Sequence, residues 1–264
     1  MKVTSLVDQW EAGNGTPGYG HRSGWGRFLM SARQRNAVDI ERDDELVECS
    51  AMGARRVALR THHLNVGDRA RDIATAIGLP PEVAAAVEAA ARWHDLGKLE
   101  IRFQAMLCGG DRLDAMLLDE PLGKSGTDPN DRVSWRRSRI RSGLPAGARH
   151  EAWSSAIVQT YFADTKANGM DPDLVIHLVA SHHGHARPWL PPVYDDHPSV
   201  IVAEVEGAPT GGAATKVTIK TDQTVDFDHP LRFARLNRRY GRWGLALLET
   251  IVRCSDMTVS AEGS

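Results

Sequence analysis

The sequence predicts a mainly α-helical fold with an inserted β-hairpin. Three observations lead there. Apolar residues recur at helical spacing in several separate segments. Glycine and proline stand where those segments stop. A single stretch, 200–226, instead alternates like paired strands around a Gly-rich tip at 207–213.

The bulk numbers set the frame. The chain has 264 residues, 42% hydrophobic and 25% charged, the balance of an ordinary globular protein. No stretch approaches the roughly 18 apolar residues that cross a bilayer, and the opening residues, with Asp8 and no apolar run, lack a secretory pattern. Cys49, Cys108 and Cys254 form neither a CxxC pair nor an even framework, so reduced thiols and a cytoplasmic location are expected. A net charge of -2 gives no global attraction for nucleic acid, which would have to be held by local basic patches.

Each element follows in order. Residues 1–58 are Gly-rich, mixed in charge and weakly periodic, and read as an irregular N-terminal segment or linker before a domain at 59–264. From His63, the residues Val66, Ala70, Ile73 and Ile77 trace a helix that Gly78 and Pro80-Pro81 end. A second helix at about 82–94 is nearly all alanine and valine, hence buried on most sides, and Gly97 stops it. Residues 109–149 carry turn chemistry with little periodicity, and their second half, from Arg132 to Arg149, holds six arginines and no acidic residue. Helices return at about 151–163, with Trp153, Ile157 and Tyr161 on one stripe, and at about 173–183. After the hairpin, a last helix at about 243–260 carries Leu245, Leu248, Val252 and Val259 on its apolar stripe. No internal repeat is present.

Chemistry concentrates at helix ends. His94-Asp95, followed by Gly97-Lys98, places an imidazole and a carboxylate where a helix stops, so both can turn into one cavity. Histidine offers a neutral nitrogen, and aspartate offers two oxygens able to bridge two cations. Lys98 could then reach a substrate phosphate as a point charge. Taken alone the pair could equally be an exposed helix terminus. It is accompanied by His182-His183 at another helix end, His150 at a helix start, and His63 on the first helix, with His62 beside it as an alternative that spacing separates only weakly. Asp256 lies on the apolar stripe of the last helix. A buried carboxylate there needs a cation or a strong donor, a metal or an arginine.

The ordered set His63, His94, Asp95, His150, His182, His183 and Asp256 resembles the HD superfamily of metal-dependent phosphohydrolases. It most closely resembles the HD nuclease domain of the CRISPR-associated helicase-nuclease of type I systems. The likeness spans about residues 60–262 and includes Arg102-Phe103-Gln104, Arg149-His150-Glu151, His182-His183-Gly184 with Arg187-Pro188, and Ser255-Asp256. The segment Leu122-Gly123-Lys124-Ser125-Gly126 and the hairpin look like the type I-G (formerly I-U) branch. The chain has no GxxxxGK[ST] phosphate loop, so the resemblance implies a stand-alone nuclease subunit or a domain of a longer chain.

That resemblance implies an HD-domain helical bundle and a DNA-degrading nuclease or endonuclease of antiviral defence, acting on single-stranded DNA beside a helicase and a guide-RNA surveillance complex. It implies two divalent ions, one held by His63, His94, Asp95 and Asp256 and the other by Asp95, His150, His182 and His183, with Asp95 bridging. Five imidazoles and two carboxylates suit Mn, Fe, Co, Ni or Zn better than Mg. His94, Asp95 and Lys98 are the expected catalytic residues, with Lys98 steadying transition-state charge. Single-stranded DNA needs a basic track with stacking aromatics. Arg136, Arg137 and Arg139 around Trp135 are the candidates, with a second run, Arg232 to Arg242, flanking Tyr240 and Trp243. Two other readings are a phosphohydrolase acting on nucleotides or cyclic nucleotides in a closed pocket, and a non-catalytic metal-stabilised module docking on a helicase or surveillance complex.

Overall fold

The computed structural model describes residues 55–128, 130–165, 169–190, 192, 195–207, 212–222 and 224–263. The N-terminal segment expected at 1–58 lies outside the described residues except for 55–58. Of these, Arg56–Ala58 form a short strand, β1, rather than irregular chain.

The fold is mainly α, as the periodicity predicts. Helix α1 (Leu59–Ala76) starts four residues earlier than expected, because β1 leads straight into it and the Leu59 amide donates to the Pro121 carbonyl at 2.7 Å. Helix α2 (Pro81–Trp93) takes proline in its first turn, where no amide donor is needed. Its alanines at 86, 89, 90 and 91 are fully buried, so small side chains let α1 and the later helices approach its backbone closely. Each large side chain buried around it, such as Trp93, Ile157 or Leu178, contributes about 1.5–3 kcal/mol of transfer free energy.

Asp95 leaves helical geometry with φ -105° and ψ 11°, and Leu96–Leu99 form a single 3-10 turn. That turn runs into α3 (Ile101–Leu107), which Glu100 caps by accepting from the Phe103 amide at 2.9 Å. The Gln104 side chain then ties three segments together. It donates to the carbonyls of Lys98 and Leu122 at 2.7 and 2.9 Å and accepts from the Leu122 amide at 2.7 Å. This holds β2 (Leu122–Ser125), antiparallel to β1, against the 3-10 turn.

The stretch 109–149 is more ordered than its composition predicts. It contains α4 (Arg112–Met116), β2 and α5 (Arg132–Ser142). Asp131 caps α5 by accepting from the Ser134 amide at 3.0 Å, and Gly143 closes it in the left-handed region at φ 75°. Helix α5 buries only Trp135, Ser138 and Ser142, which explains why no apolar stripe announces it.

Helices α6 (His150–Thr165) and α7 (Pro172–Ser181) pack side by side. The hairpin pairs β3 (Val200–Gly207) with β4 (Gly212–Lys220), so its strands end at Lys220, short of the expected 226. Its inner face carries Ile201, Ala203, Val205, Val217 and Ile219, while Val200 and Val202 point outward. A buried ionic knot anchors the hairpin base: Arg102 bonds Glu100 at 2.7 Å and Asp195 at 2.7 Å, and Asp195 accepts from Thr221 at 2.7 Å. The last helical run, α8 (His229–Glu262), is two helices joined at a kink at Gly241, with φ 73° and ψ 163°; the part after the kink matches the helix expected at 243–260, and the part before it was not expected. Its N-terminal part is rich in arginine and lacks a simple apolar stripe. No helix among the described residues is long and apolar enough to cross a membrane.

Candidate metal centre

Five helices or helix ends and one turn converge on a cluster of imidazoles and carboxylates. Asp95, His150, His182 and His183 form one group and His62, His94 and Asp256 another, with the candidate ligand atoms of each group within 4.8 Å of one another. Asp95 faces both. Its Oδ1 lies 3.0 Å from His150 Nε2 and 3.8 Å from His182 Nε2, while its Oδ2 lies 3.3 Å from His94 Nε2 and 3.6 Å from His62 Nε2. Asp256 Oδ1 lies 3.1 Å from His62 Nε2 and 3.8 Å from His94 Nε2. His183 Nε2 stands 3.1 Å from His150 Nε2.

Local structure explains the aim of these side chains. His94 and His182 each follow the last residue of a helix and keep helical backbone angles. Each ring donates Nδ1–H to the carbonyl three residues back, Ala91 or Val179, at 2.7 Å. The carbonyl can only accept, so in the neutral ring Nε2 is the nitrogen that carries the lone pair, and it points inward. Gly97 lets α6 come close enough to bring His150 in. Its amide donates to Ser154 Oγ at 2.8 Å, and a Cβ there would fall 2.1 Å from the His150 carbonyl oxygen.

The chemistry of the cluster fits a cation. His62 Nδ1 and His63 Nε2 are buried without a hydrogen bond, and so are His62 Nε2, His94 Nε2 and His182 Nε2, while the Asp95 oxygens meet Lys98 Nζ and the histidine rings at ion-pair distance. The Nε2 atoms of His62, His94 and His182 crowd with the Asp95 oxygens at a common centre instead of aligning in pairs, and such buried polar atoms need a partner. Burial works against the Asp95 carboxylate, yet the charge of His94 and Lys98 holds its pKa well below the usual range. Asp256 behaves alike under His62, His94 and Lys124. Burial drives His182 and His183 well below the ordinary imidazole value, aided by neighbouring histidines. His94 is raised, since Asp95 and Asp256 outweigh its burial. The four-residue group therefore combines an ionised carboxylate with two imidazoles held neutral by burial, as metal ligation requires.

Two expectations change. His62, not His63, stands in the three-residue group. Both histidines have helical spacing to Val66 and Ala70, but His62 is fully buried beneath Asp256, whereas His63 lines a cavity of about 640 Å³ with Leu64, Trp93 and Val202. Lys98 does not reach outward to a substrate. It is buried with Nζ 2.5 Å from Asp95 Oδ2 and donates to the Gly123 carbonyl at 3.3 Å. A second lysine, Lys124 on β2, was not among the expected site residues. Its Nζ is buried 3.8 Å from Asp256 Oδ1, and burial with the nearby Lys98 lowers its pKa to about 8. Its one sequence signal is its place in Gly123-Lys124-Ser125, too short to place it in the centre.

The proposed DNA track divides. Arg136 and Arg137 are exposed on α5, but Arg139 is half-buried and donates to the Pro145 carbonyl at 3.1 Å. Trp135 is core, not a stacking platform. In the second run, Arg232, Arg235 and Arg239 form ion pairs with aspartates at 173 and 171 near the start of α7, and Tyr240 donates to Asp171 at 3.3 Å. Trp243, by contrast, is 89% exposed. The hairpin adds no residue to either histidine group, although it packs on the 3-10 turn behind Asp95.

The sequence pattern of the family described as "Cas3, HD domain" matches residues 51–232. The chain belongs to that family. Membership in the Cas3 HD family places it among metal-dependent HD nucleases of CRISPR systems. The match includes every residue of the four-residue group, together with His62 and His94. It stops before Asp256, which lies outside the matched residues and joins His62 and His94 in the structure. No curated protein and no solved structure gives a significant match.

Proposed function

We propose that this chain is a two-metal nuclease of the type I-G branch that hydrolyses phosphodiester bonds of single-stranded DNA in type I CRISPR interference, alongside a helicase and a guide-RNA surveillance complex. The observation that supports the two-metal reading best is Asp95, whose oxygens face different histidine groups at 3.0 and 3.3 Å. Asp95, His150, His182 and His183 would hold one ion, and His62, His94, Asp95 and Asp256 the other. Bound divalent ions supply Lewis-acid polarisation of the phosphodiester and activation of water. The imidazole-rich donor set favours Mn, Fe, Co or Ni over Mg.

The chain's own residues supply the rest. The Ala91 and Val179 carbonyls fix the tautomers of His94 and His182, which removes reorganisation when a cation enters. Lys98 holds Asp95 ionised and oriented through their 2.5 Å contact, and so acts on the reaction through Asp95. Arg136 and Arg137 offer a sequence-independent hold on a phosphate backbone.

Incubating Mn-reconstituted protein with circular single-stranded DNA and, separately, with a cyclic dinucleotide tests this reading. Cleavage of the circle is expected. Turnover of the dinucleotide with an intact circle would mark a small-molecule phosphohydrolase, and inertness toward both would mark a docking module.

A further inference from the structure

A second buried polar network lies outside the candidate metal centre, and its members grip the turn that carries His183. Glu249 is buried on α8, two helical turns before Asp256. Its Oε1 accepts from His177 Nε2 on α7 at 2.6 Å, and its Oε2 pairs with Arg187. His229, at the start of α8, donates Nε2–H to the Ala186 carbonyl at 3.0 Å. Arg253 donates to the His182 carbonyl at 3.4 Å. The two parts of α8, before and after the Gly241 kink, thus hold the chain at 182, 186 and 187.

The gripped segment needs that hold. Ala186 is fully buried with φ 59°, a left-handed conformation that an alanine keeps only when its surroundings dictate it. His183 is the one member of the four-residue group that is not fully buried, so packing alone fixes it least. Glu249 reaches both flanks of this histidine: His177 before it and Arg187 after it. A buried carboxylate with two charge-assisted partners is a stiff connection.

We propose that Glu249 is a positioning residue of the metal centre, clasping the 182–188 turn to α8 so that His183 is held in the four-residue group. This rests on the two-metal reading and adds an asymmetry to it. Loss of the clasp should weaken the ion held by Asp95, His150, His182 and His183, and spare the one held by His62, His94 and Asp256.

The test is Mn titration of the full chain, with bound metal counted by elemental analysis and folding checked by circular dichroism. Glu249→Gln should lower the affinity of one ion about tenfold, the low end for loss of a supporting contact to a ligand, and leave the other unchanged. Added to His183→Ala it should do nothing further. Added to Asp256→Ala it should weaken the remaining ion. Unchanged affinities in folded Glu249→Gln, or equal loss of both ions, would overturn the proposal. If Glu249→Gln does not fold, Arg187→Ala carries the same test, since its side chain is 45% exposed. A wild type that binds no Mn overturns the two-metal reading and this proposal together. A wild type that binds two ions beside variants that match it overturns this proposal alone.

Discussion

Replacing Gly97 by alanine is a small change with a large expected consequence. The added methyl would sit 2.1 Å from the His150 carbonyl oxygen and 2.9 Å from the Ser154 amide nitrogen, both backbone atoms of α6. Ordinary contact needs more than 3 Å, so the 3-10 turn and α6 must part by roughly 1 Å. Overpacking of this kind costs about 1–3 kcal/mol, and the lost Gly97–Ser154 hydrogen bond about 1 kcal/mol more. For a domain of this size, about 2–4 kcal/mol lowers Tm by roughly 4–16 °C. The displacement also separates Asp95 from His150, whose atoms stand 3.0 Å apart, so Mn affinity should fall with stability. Differential scanning calorimetry with and without Mn reads both effects. Ser154→Ala, which removes only the hydrogen bond, should cost about 1 kcal/mol. A Gly97→Ala protein with wild-type Tm and wild-type Mn affinity would refute the close approach of turn and helix.

Other expectations follow from the same geometry. Asp95→Ala should lose both ions, because its two oxygens face both groups, and nuclease activity with them; near-normal metal content would remove Asp95 from the ligand set. The triple change Arg136, Arg137 and Arg139 to alanine should flatten the salt dependence of single-stranded DNA binding by about 1.4, two contacts of about 0.7 each, because Arg139 is held by Pro145. Hydrolysis of a small chromogenic phosphodiester should persist, and an unchanged salt slope would take α5 out of the DNA path. Asp195 is held down to about 2, chiefly by Arg102. Its depressed pKa means stability that is present above about pH 4 and lost as pH falls through about 2. The stability gap between wild type and Asp195→Asn should therefore narrow from pH 6 to pH 2, and a constant gap would contradict the ion pair.

The sequence made most of the helical frame and the histidine cluster legible, because both obey short-range rules. Apolar spacing marks α1, α2, α6 and α7, and ligands at helix ends are visible as the pairs His94-Asp95 and His182-His183. What stayed hidden depends on contacts distant in sequence. Helix α5 is specified by its Asp131 cap and by burial of Trp135, not by an apolar stripe. The choice of His62 over His63 turns on which neighbour lies under Asp256, nearly 200 residues away. Lys98 looked substrate-facing because its bond to the Gly123 carbonyl depends on β2 folding back over the turn. Lys124 was invisible for the same reason.

The most direct test of the centre is anomalous diffraction from crystals of the Mn-loaded protein. The proposed two-metal centre predicts two peaks about 3.5–4 Å apart, one beside His150, His182 and His183, the other beside His62, His94 and Asp256, with Asp95 between them. A single peak that Asp95 does not touch, or a second peak coordinated by His63 in place of His62, would contradict it.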